Sequence, residues 1–470
     1  MATAYKTPGV FIEEIPRFPP SIAPVETAIP AFIGYTQKAD DVTAGDLHLK
    51  PTRISSLIEY ERLFGVAQKE NAVEVTITVL PDASIKSTAT LAENKRSKHI
   101  MYYALQMFFA NGGGPCYIVS VNSYKAAVGD PLVETELSAG LDAIRKEDEP
   151  TLIVFPEAQS LSIADFKTLH DAALKQCDDL KDRFVIMDVH GGAISMSDPA
   201  ANLLTAVGSF RSNGIGTNSL KYGAAYAPNI ETVVDVAFDE SATNVAINGN
   251  AAVKLSDLPA TDSQSYELAK AAVRDMSLKL PPSAAMAGIY AAVDNSRGVW
   301  KAPANISVNG VVAPTIQFTN VEQDQLNVDP VAGKSVNAVR PFIGKGTLVW
   351  GARTLAGNDS EWRYINVRRL FIFIEESVKK ATEQFVFDAN DANTWVKVQG
   401  MIENFLTTLW RQGALQGVKP EHAFYVAVGL GKTMTALDIL EGRLIVEVGI
   451  AAVRPAEFII LRFSHKMAES

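Results

Sequence analysis

Six prolines in the first 30 residues, at positions 8, 16, 19, 20, 24 and 30, restrict the amino end more tightly than any other feature restricts the chain. Proline removes a backbone donor and pushes the residue before it toward extended conformations, so no helix of useful length forms there. Between the prolines lies one short strand pattern, Val10, Phe11, Ile12, Glu13, Glu14 and Ile15. A lone strand cannot satisfy its own amides and carbonyls. It has to join some other sheet edge, either in its own molecule or in a neighbour. Residues 1–30 are therefore expected to be an extended arm. The other end repeats the arrangement, for Pro455 separates the strand pattern Phe458, Ile459, Ile460, Leu461, Arg462 and Phe463 from what precedes it, and 454–470 is expected to be a second arm.

Residues 31–345 read as a layered α/β domain. Ala31–Tyr35 has the apolar run of a buried strand, and Ile54–Phe64 is a short helix that Gly65 closes. Leu152–Phe155, a helix over 163–180 and Phe184–Val189 make a strand, helix, strand unit of the parallel kind. Ser197, Asp198 and Pro199 are a cap that starts a further helix to about Arg211, and Lys221–Tyr226 is another strand. Two stretches interrupt the pattern. The one near 71–95 alternates apolar and polar residues over Val73–Val79, as a hairpin-like excursion would, and 231–279 is strand-like before turning helical from Tyr266.

Domains of this kind often carry enzymes, so the reactive residue types need weighing. At the carboxyl end of the second parallel strand, Asp188 and His190 sit beside Gly191 and Gly192. No G-x-S-x-G elbow accompanies them, the six histidines show no i, i+4 pair, and neither Cys116 nor Cys177 has a second cysteine nearby. Gly112, Gly113 and Gly114 follow a helix and precede a strand, the reverse of a phosphate cradle, so they read as a helix stop. Gly429–Thr433 spells GLGKT, but Val426 stands where a nucleotide-binding loop wants its first glycine, and a turn is the better account. No catalytic residue, metal or cofactor is expected. Asp294 and Arg297 are placed to pair and fix a loop against Trp300.

A formal charge of −10 and a pI near 5.3 argue against nucleic acid or an anionic membrane as a partner. The one basic cluster, Lys95, Arg96 and Lys98, reads as a solvated helix face. No apolar run reaches the length of a membrane span, and Glu13 and Glu14 interrupt any signal-peptide core. Both cysteines lie in apolar settings and read as buried free thiols, which suits a reducing cytoplasm.

The region 346–453 is expected to be a compact domain of a helix pair and a sheet. Val367, Leu370, Phe371, Ile374, Val378 and Ala381 line one face of a helix of about five turns. Its other face carries Arg368, Arg369, Glu375, Glu376, Lys379, Lys380 and Glu383, a mixture suited to contact with another protein. A second helix with Trp395, Val398, Ile402, Phe405, Leu406 and Leu409 on one side follows a turn in which Asp391 or Asn393 can cap it. Arg353, Arg368 and Arg369 are available to hold Asp388, Asn390 or Asp391 and so lock the pair. His422–Val428 and Leu444–Ile450 are strong strands.

The segments YKTPGVFIEE, LKPTRISSLIEYERLFG, ANGGGPCYIVSV, KYGAAYAP, LPPSAAMAGIYAAVDNSRGVWKAPAN, WGARTL, EWRYINVRRL, FVFDANDANTW and RPAEFIILRF occur in this order. Together they resemble the sheath subunit of contractile phage tails and related injection systems. That resemblance implies a multidomain α/β (α+β) fold, with 31–345 as the outer domain and 346–453 as an inner carboxyl-terminal domain that receives strands from two neighbours. Val10–Ile15 and Phe458–Phe463 are then the donated strands, and 422–428 and 444–450 the receivers. It further implies a helical homo-oligomer around an inner tube, with baseplate and terminator or cap proteins as further partners, in a phage tail or tail-like particle assembled in a bacterial cytoplasm. Lys379, Lys380 and Glu383 are the candidate contact with the tube. From physics alone, a ring-forming baseplate component explains the arms equally well, and an α/β enzyme explains the middle domain but not the arms.

Overall fold

A computed structural model describes residues 22–192 and 202–462. The expected strand Val10–Ile15, the Ser197–Pro199 cap and Phe463 lie outside the described residues. The described chain divides into two compact units, one of 25–376 with 454–462 and a smaller one of 377–453 with 22–24.

The larger unit is built on a nine-stranded sheet. Its middle is parallel, in the order Val336–Phe342, Gly223–Ala227, Phe184–Asp188, Leu152–Val154, Pro30–Thr36 and Cys116–Ser123. Every residue of Pro30–Thr36 is buried. Strands flanked on both sides by parallel neighbours and covered on both faces need such uninterrupted apolar runs. Antiparallel strands close the ends, Thr52–Ile54 at one and Gly346–Trp350 with Ile306–Ser307 at the other. The helix Ile163–Leu180 buries Phe166, Leu169, Ala173 and Cys177, and Ser162 caps it by accepting from the Asp165 amide at 3.2 Å. Helix Ser283–Arg297 is rich in small residues because it lies close against Met101–Ala110; a Cβ on Gly288 would collide with the Phe108 carbonyl oxygen.

The two interruptions meet. Glu74–Val79 and Ile85–Thr90 pair as a hairpin, and Asn244–Ile247, from the other stretch, joins it in parallel with Val245 opposite Val75. Helix Ser263–Arg274 covers this four-stranded sheet, and Val75, Ile77, Val245, Leu258 and Val273 form a small core. Sequence reasoning finds both stretches and leaves them apart, since nothing local in either one names its partner.

The division between the units falls after Glu376, inside the helix Ile365–Thr382, and not at 346. The cause is hydrogen bonding and burial. Gly346–Trp350 is a strand of the main sheet paired with Val336–Phe342, and Val349, Leu355, Ile365 and Ile372 belong to the main core. In the smaller unit, helix Ala392–Arg411 buries Val398, Met401, Ile402, Phe405, Leu406 and Leu409, and packs on Phe424–Val428. That strand pairs antiparallel with Val446–Ile450, Val426 opposite Val448. The GLGKT segment is a turn, with Thr433 Oγ1 donating to the Ile445 carbonyl at 2.7 Å, though it leads into the short helix Ala436–Leu440 before the next strand.

If the two interruptions share one core, Ile77→Ala removes side-chain volume that the second stretch also contacts, at a cost of about 2–4 kcal/mol. Hydrogen exchange should then accelerate in 244–247 together with 74–79, while Leu152–Val154 keeps its protection.

Candidate assembly interface

Among the described residues, Phe424–Val428 and Val446–Ile450 pair only with each other, so each strand keeps its second edge open. The pairing is extended at one end by Gln416, whose amide donates to the Ala451 carbonyl at 2.7 Å. Val426 and Val428 face the core of the unit, while Tyr425 and Glu447 face outward and bond to each other at 2.6 Å. Two open edges on a two-stranded sheet are a template for further strands.

The carboxyl-terminal segment offers the complementary feature. Phe458, Ile459, Ile460 and Leu461 are 69–81% exposed and in no strand, and Arg462 is exposed beside them. Four consecutive apolar side chains open to water are an exposed apolar patch of the kind that marks interaction sites.

Directly before them, Glu457 is held. Its Oε1 accepts from Arg353 Nε at 2.9 Å and Asn327 Nδ2 at 2.7 Å, and its Oε2 from Arg353 Nη2 at 2.7 Å and Tyr364 Oη at 3.1 Å. Burial pushes the Glu457 carboxyl up, and the hydrogen bonds and charge of Arg353, with Asn327 and Tyr364, outweigh it and hold it below the usual range. Sequence reasoning missed Glu457, Asn327 and Tyr364. The available signal was a carboxylate between Pro455 and an apolar run, a poor place for a charge without a partner.

The expected arginine network is corrected. Arg353 pairs with Glu457 as above. Arg368, 2% exposed, donates to Glu375 at 2.7 Å and stacks on Trp362, 4.5 Å from the ring centre. Arg369, 3% exposed, pairs with Asp294 at 2.5 Å, donates to the Thr27 carbonyl at 2.8 Å and lies over Tyr290. Asp294 therefore serves Arg369, in place of the expected Arg297. The helix face expected to meet another protein is buried at 368–369, because aromatic rings, Glu375 and Asp294 cover the guanidinium groups. In the smaller unit Asp391 is the helix cap, accepting from the Asn393 and Thr394 amides at 2.9 and 3.0 Å. Asn390 accepts from Trp395 Nε1 at 2.7 Å and donates to the Arg443 carbonyl at 2.9 Å, while Asp388 is exposed. Lys379, Lys380 and Glu383 are exposed.

The enzyme-like position is closed. Asp188 is buried and accepts from the Ser283 amide at 2.8 Å, so the start of a helix covers the strand end. Burial pushes its carboxyl up to about 7 despite that bond. His190 Nε2 lies 3.0 Å from the Leu161 carbonyl, a backbone contact. Among the described residues no group of three or more His, Cys, Asp or Glu could hold a metal ion, and no helix is long and apolar enough to cross a membrane.

Two outcomes follow. Arg369→Met leaves Asp294 charged and buried without its partner and should cost about 3–5 kcal/mol in urea unfolding, with most of that loss recovered when Asp294→Leu is added. For Asp188 the folded chain holds the proton more tightly than the unfolded chain, so its contribution to stability falls as pH rises from about 4 toward 7. The stability of Asp188→Asn relative to the parent chain should therefore grow by up to about 4 kcal/mol across that range and then level off.

Comparison with known proteins places these features. Residues 134–355 match the phage tail sheath protein central domain, and 357–466 match the phage tail sheath C-terminal domain. The chain is 31% identical to a chain of the helical sheath of the anti-feeding prophage in its contracted state, covering 98% of this chain and 100% of that one with a TM-score of 0.63. It is 32% identical to a chain of the six-fold symmetrised anti-feeding prophage baseplate, over 99% and 100% of the two chains with a TM-score of 0.65. The tail sheath protein of Vibrio phage KVP40 is 26% identical over 147 residues, 30% of this chain and 21% of that protein, so the match spans about a fifth of that relative's length. Multidomain architecture, open sheet edges, an exposed apolar arm and matches along nearly the whole chain agree, and the chain belongs to the contractile tail sheath family.

Proposed function

We propose that this chain is the repeated subunit of a helical contractile sheath that surrounds an inner tube and drives it through a target envelope when the sheath shortens. The observation that carries this reading is the two-stranded sheet with both outer edges open, in a chain whose own carboxyl-terminal segment exposes four apolar residues in a row. Phe458–Phe463 of one copy and Val10–Ile15 of another are the strands that complete the sheet. The edges of Phe424–Val428 and Val446–Ile450 receive them.

The energetics suit a load-bearing joint. A net backbone hydrogen bond contributes about 1 kcal/mol, so five or six residues of pairing supply several kcal/mol. Burying apolar side chains such as Phe458 and Ile460 adds about 1.5–3 kcal/mol each. Strand joints of this kind act as hinges while folded units rotate and repack, which allows an extended and a shorter lattice with one connectivity. The free energy of contraction comes from better burial and charge complementarity in the short lattice, stored when assembly traps the long one. No catalytic step and no nucleotide take part. Lys379, Lys380 and Glu383 contact the tube, and baseplate and terminator proteins bound the cylinder. That the relative at 32% identity is a chain of a baseplate structure supports association with a baseplate. Nucleic acid and membrane are not partners, in line with the acidic charge. The buried free thiols Cys116 and Cys177 suit assembly in a bacterial cytoplasm.

Expressed alone and examined by negative-stain electron microscopy after size exclusion, the full chain should give striated hollow cylinders, with or without added tube protein, and a variant lacking residues 1–20 should give none. Identical closed rings from both chains would overturn the strand-exchange reading in favour of a ring component.

A further inference from the structure

We infer that the Arg353–Glu457 pair is the fixed root of the carboxyl-terminal arm, through which load carried by the arm into a second copy of this chain enters the larger unit. The inference rests on the strand-exchange reading above and adds the residues that anchor the donor.

Its first support is the completeness of the clamp. The Glu457 carboxylate receives a two-point fork from the guanidinium plus one further donor on each oxygen, within 2.7–3.1 Å. Four donors fill the acceptor positions of a carboxylate, and the fork geometry fixes orientation as well as distance. The Arg353 side chain is 5% exposed, so solvent does not compete at the arginine.

The second support is what the clamp is attached to. The Arg353 amide donates to Asn337 Oδ1 at 2.8 Å, and Asn337 Nδ2 donates back to the Arg353 carbonyl at 2.8 Å. Asn337 lies in Val336–Phe342, a strand of the nine-stranded sheet, and its Nδ2 also reaches the Ala225 carbonyl of the next strand at 3.2 Å. Arg353 Nη1 reaches the Asn327 carbonyl at 3.3 Å, so the residue that grips Glu457 from the other side is tied to the same arginine. Glu457 is thus bonded through one side chain to the main sheet of its unit.

The third support is the abrupt change along the chain. Glu457 is held on four sides, and the next four residues are open to water. A segment that was merely the end of the fold would fray gradually, whereas a donor strand needs a defined origin, because pairing register in the receiving sheet is set by where the strand begins. The route of the chain adds to this. It leaves the smaller unit at Val453, is fastened to the larger unit at Glu457 and only then departs as the arm. Tension on the arm therefore reaches the nine-stranded sheet without passing along 377–453. Each arm links the small unit of one copy to the large unit of another.

The test compares four full-length or truncated chains at equal concentration: the parent, a truncation lacking residues 458–470, Glu457→Ala and Glu457→Gln. Each is melted as the unassembled chain and then scored for cylinders by negative stain and sedimentation. The expected result is that Glu457→Gln, which leaves Arg353 without its charge partner, melts below the parent while its assembled fraction drops about tenfold beyond what that melting loss accounts for, the change that a further loss of about 1.4 kcal/mol per joint produces. Glu457→Ala drops further, and the truncation does not assemble. If both Glu457 variants melt and assemble as the parent does while the truncation fails, the root is overturned and strand exchange stands. If the truncation assembles normally, strand exchange by this arm is itself wrong. A melting loss in Glu457→Gln that matches its assembly loss would make the clamp a fold contact only and would also overturn the inference.

Discussion

Backbone hydrogen bonding at open sheet edges is the constraint on which the rest of this molecule depends. A two-stranded sheet is at best marginal by itself, since about half of its amides and carbonyls point outward and face no strand. Here Phe424–Val428 and Val446–Ile450 are supported on one side by helix Ala392–Arg411 and, among the described residues, still present two open edges. Proteins that remain monomeric blunt such edges with prolines, bulges or inward charges. Neither strand carries a proline, and the one charged side chain, Glu447, faces outward to Tyr425. Edges left usable in this way are edges that another segment can occupy.

The larger unit solves the opposite problem. Its sheet ends on short antiparallel strands of two or three residues, Ile306–Ser307 and Thr52–Ile54, which offer little edge to a neighbour. Several of its buried charged groups are paired across the fold: Arg369 with Asp294, Arg353 with Glu457, and Asp188 with the Ser283 amide. A main sheet with so little free edge and with such cross-links inside can move as a body.

Much of this was legible in the sequence because it is local. The parallel strand, helix, strand unit follows from periodicity, and Asp391, one of the two caps expected there, follows from its place before an apolar helical stripe. The arginine partners were not legible. Charge pairing on a helix is judged from near neighbours, so Arg368 and Arg369 were assigned to a contact face and to Asp388, Asn390 or Asp391, whereas their covers, Trp362, Tyr222 and Asp294, are set by the tertiary fold. The same limit hid the union of the two interruptions, whose strands pair across about 170 residues of chain with no local mark of the match. The position of the unit boundary was hidden too, since Gly346–Trp350 looks alike whether it opens a new domain or closes the old sheet.

The resembling segments WGARTL and RPAEFIILRF acquire a physical reason once Arg353 and Glu457 are seen together. They stand about a hundred residues apart, and each carries one half of a single fork. Neither half is useful alone, for an isolated arginine beneath the sheet end or a carboxylate ahead of an apolar strand would be a buried charge without compensation. Desolvation makes the pair costly as a source of stability, and an apolar pair of the same volume would hold the fold as well. What the apolar pair could not supply is direction. A fork with two further donors admits one orientation of the carboxylate, and with it one heading for the residues that follow. A strand that must reach an edge on another molecule needs that heading set before the partner arrives, because each degree of freedom removed in advance is one that assembly no longer has to remove.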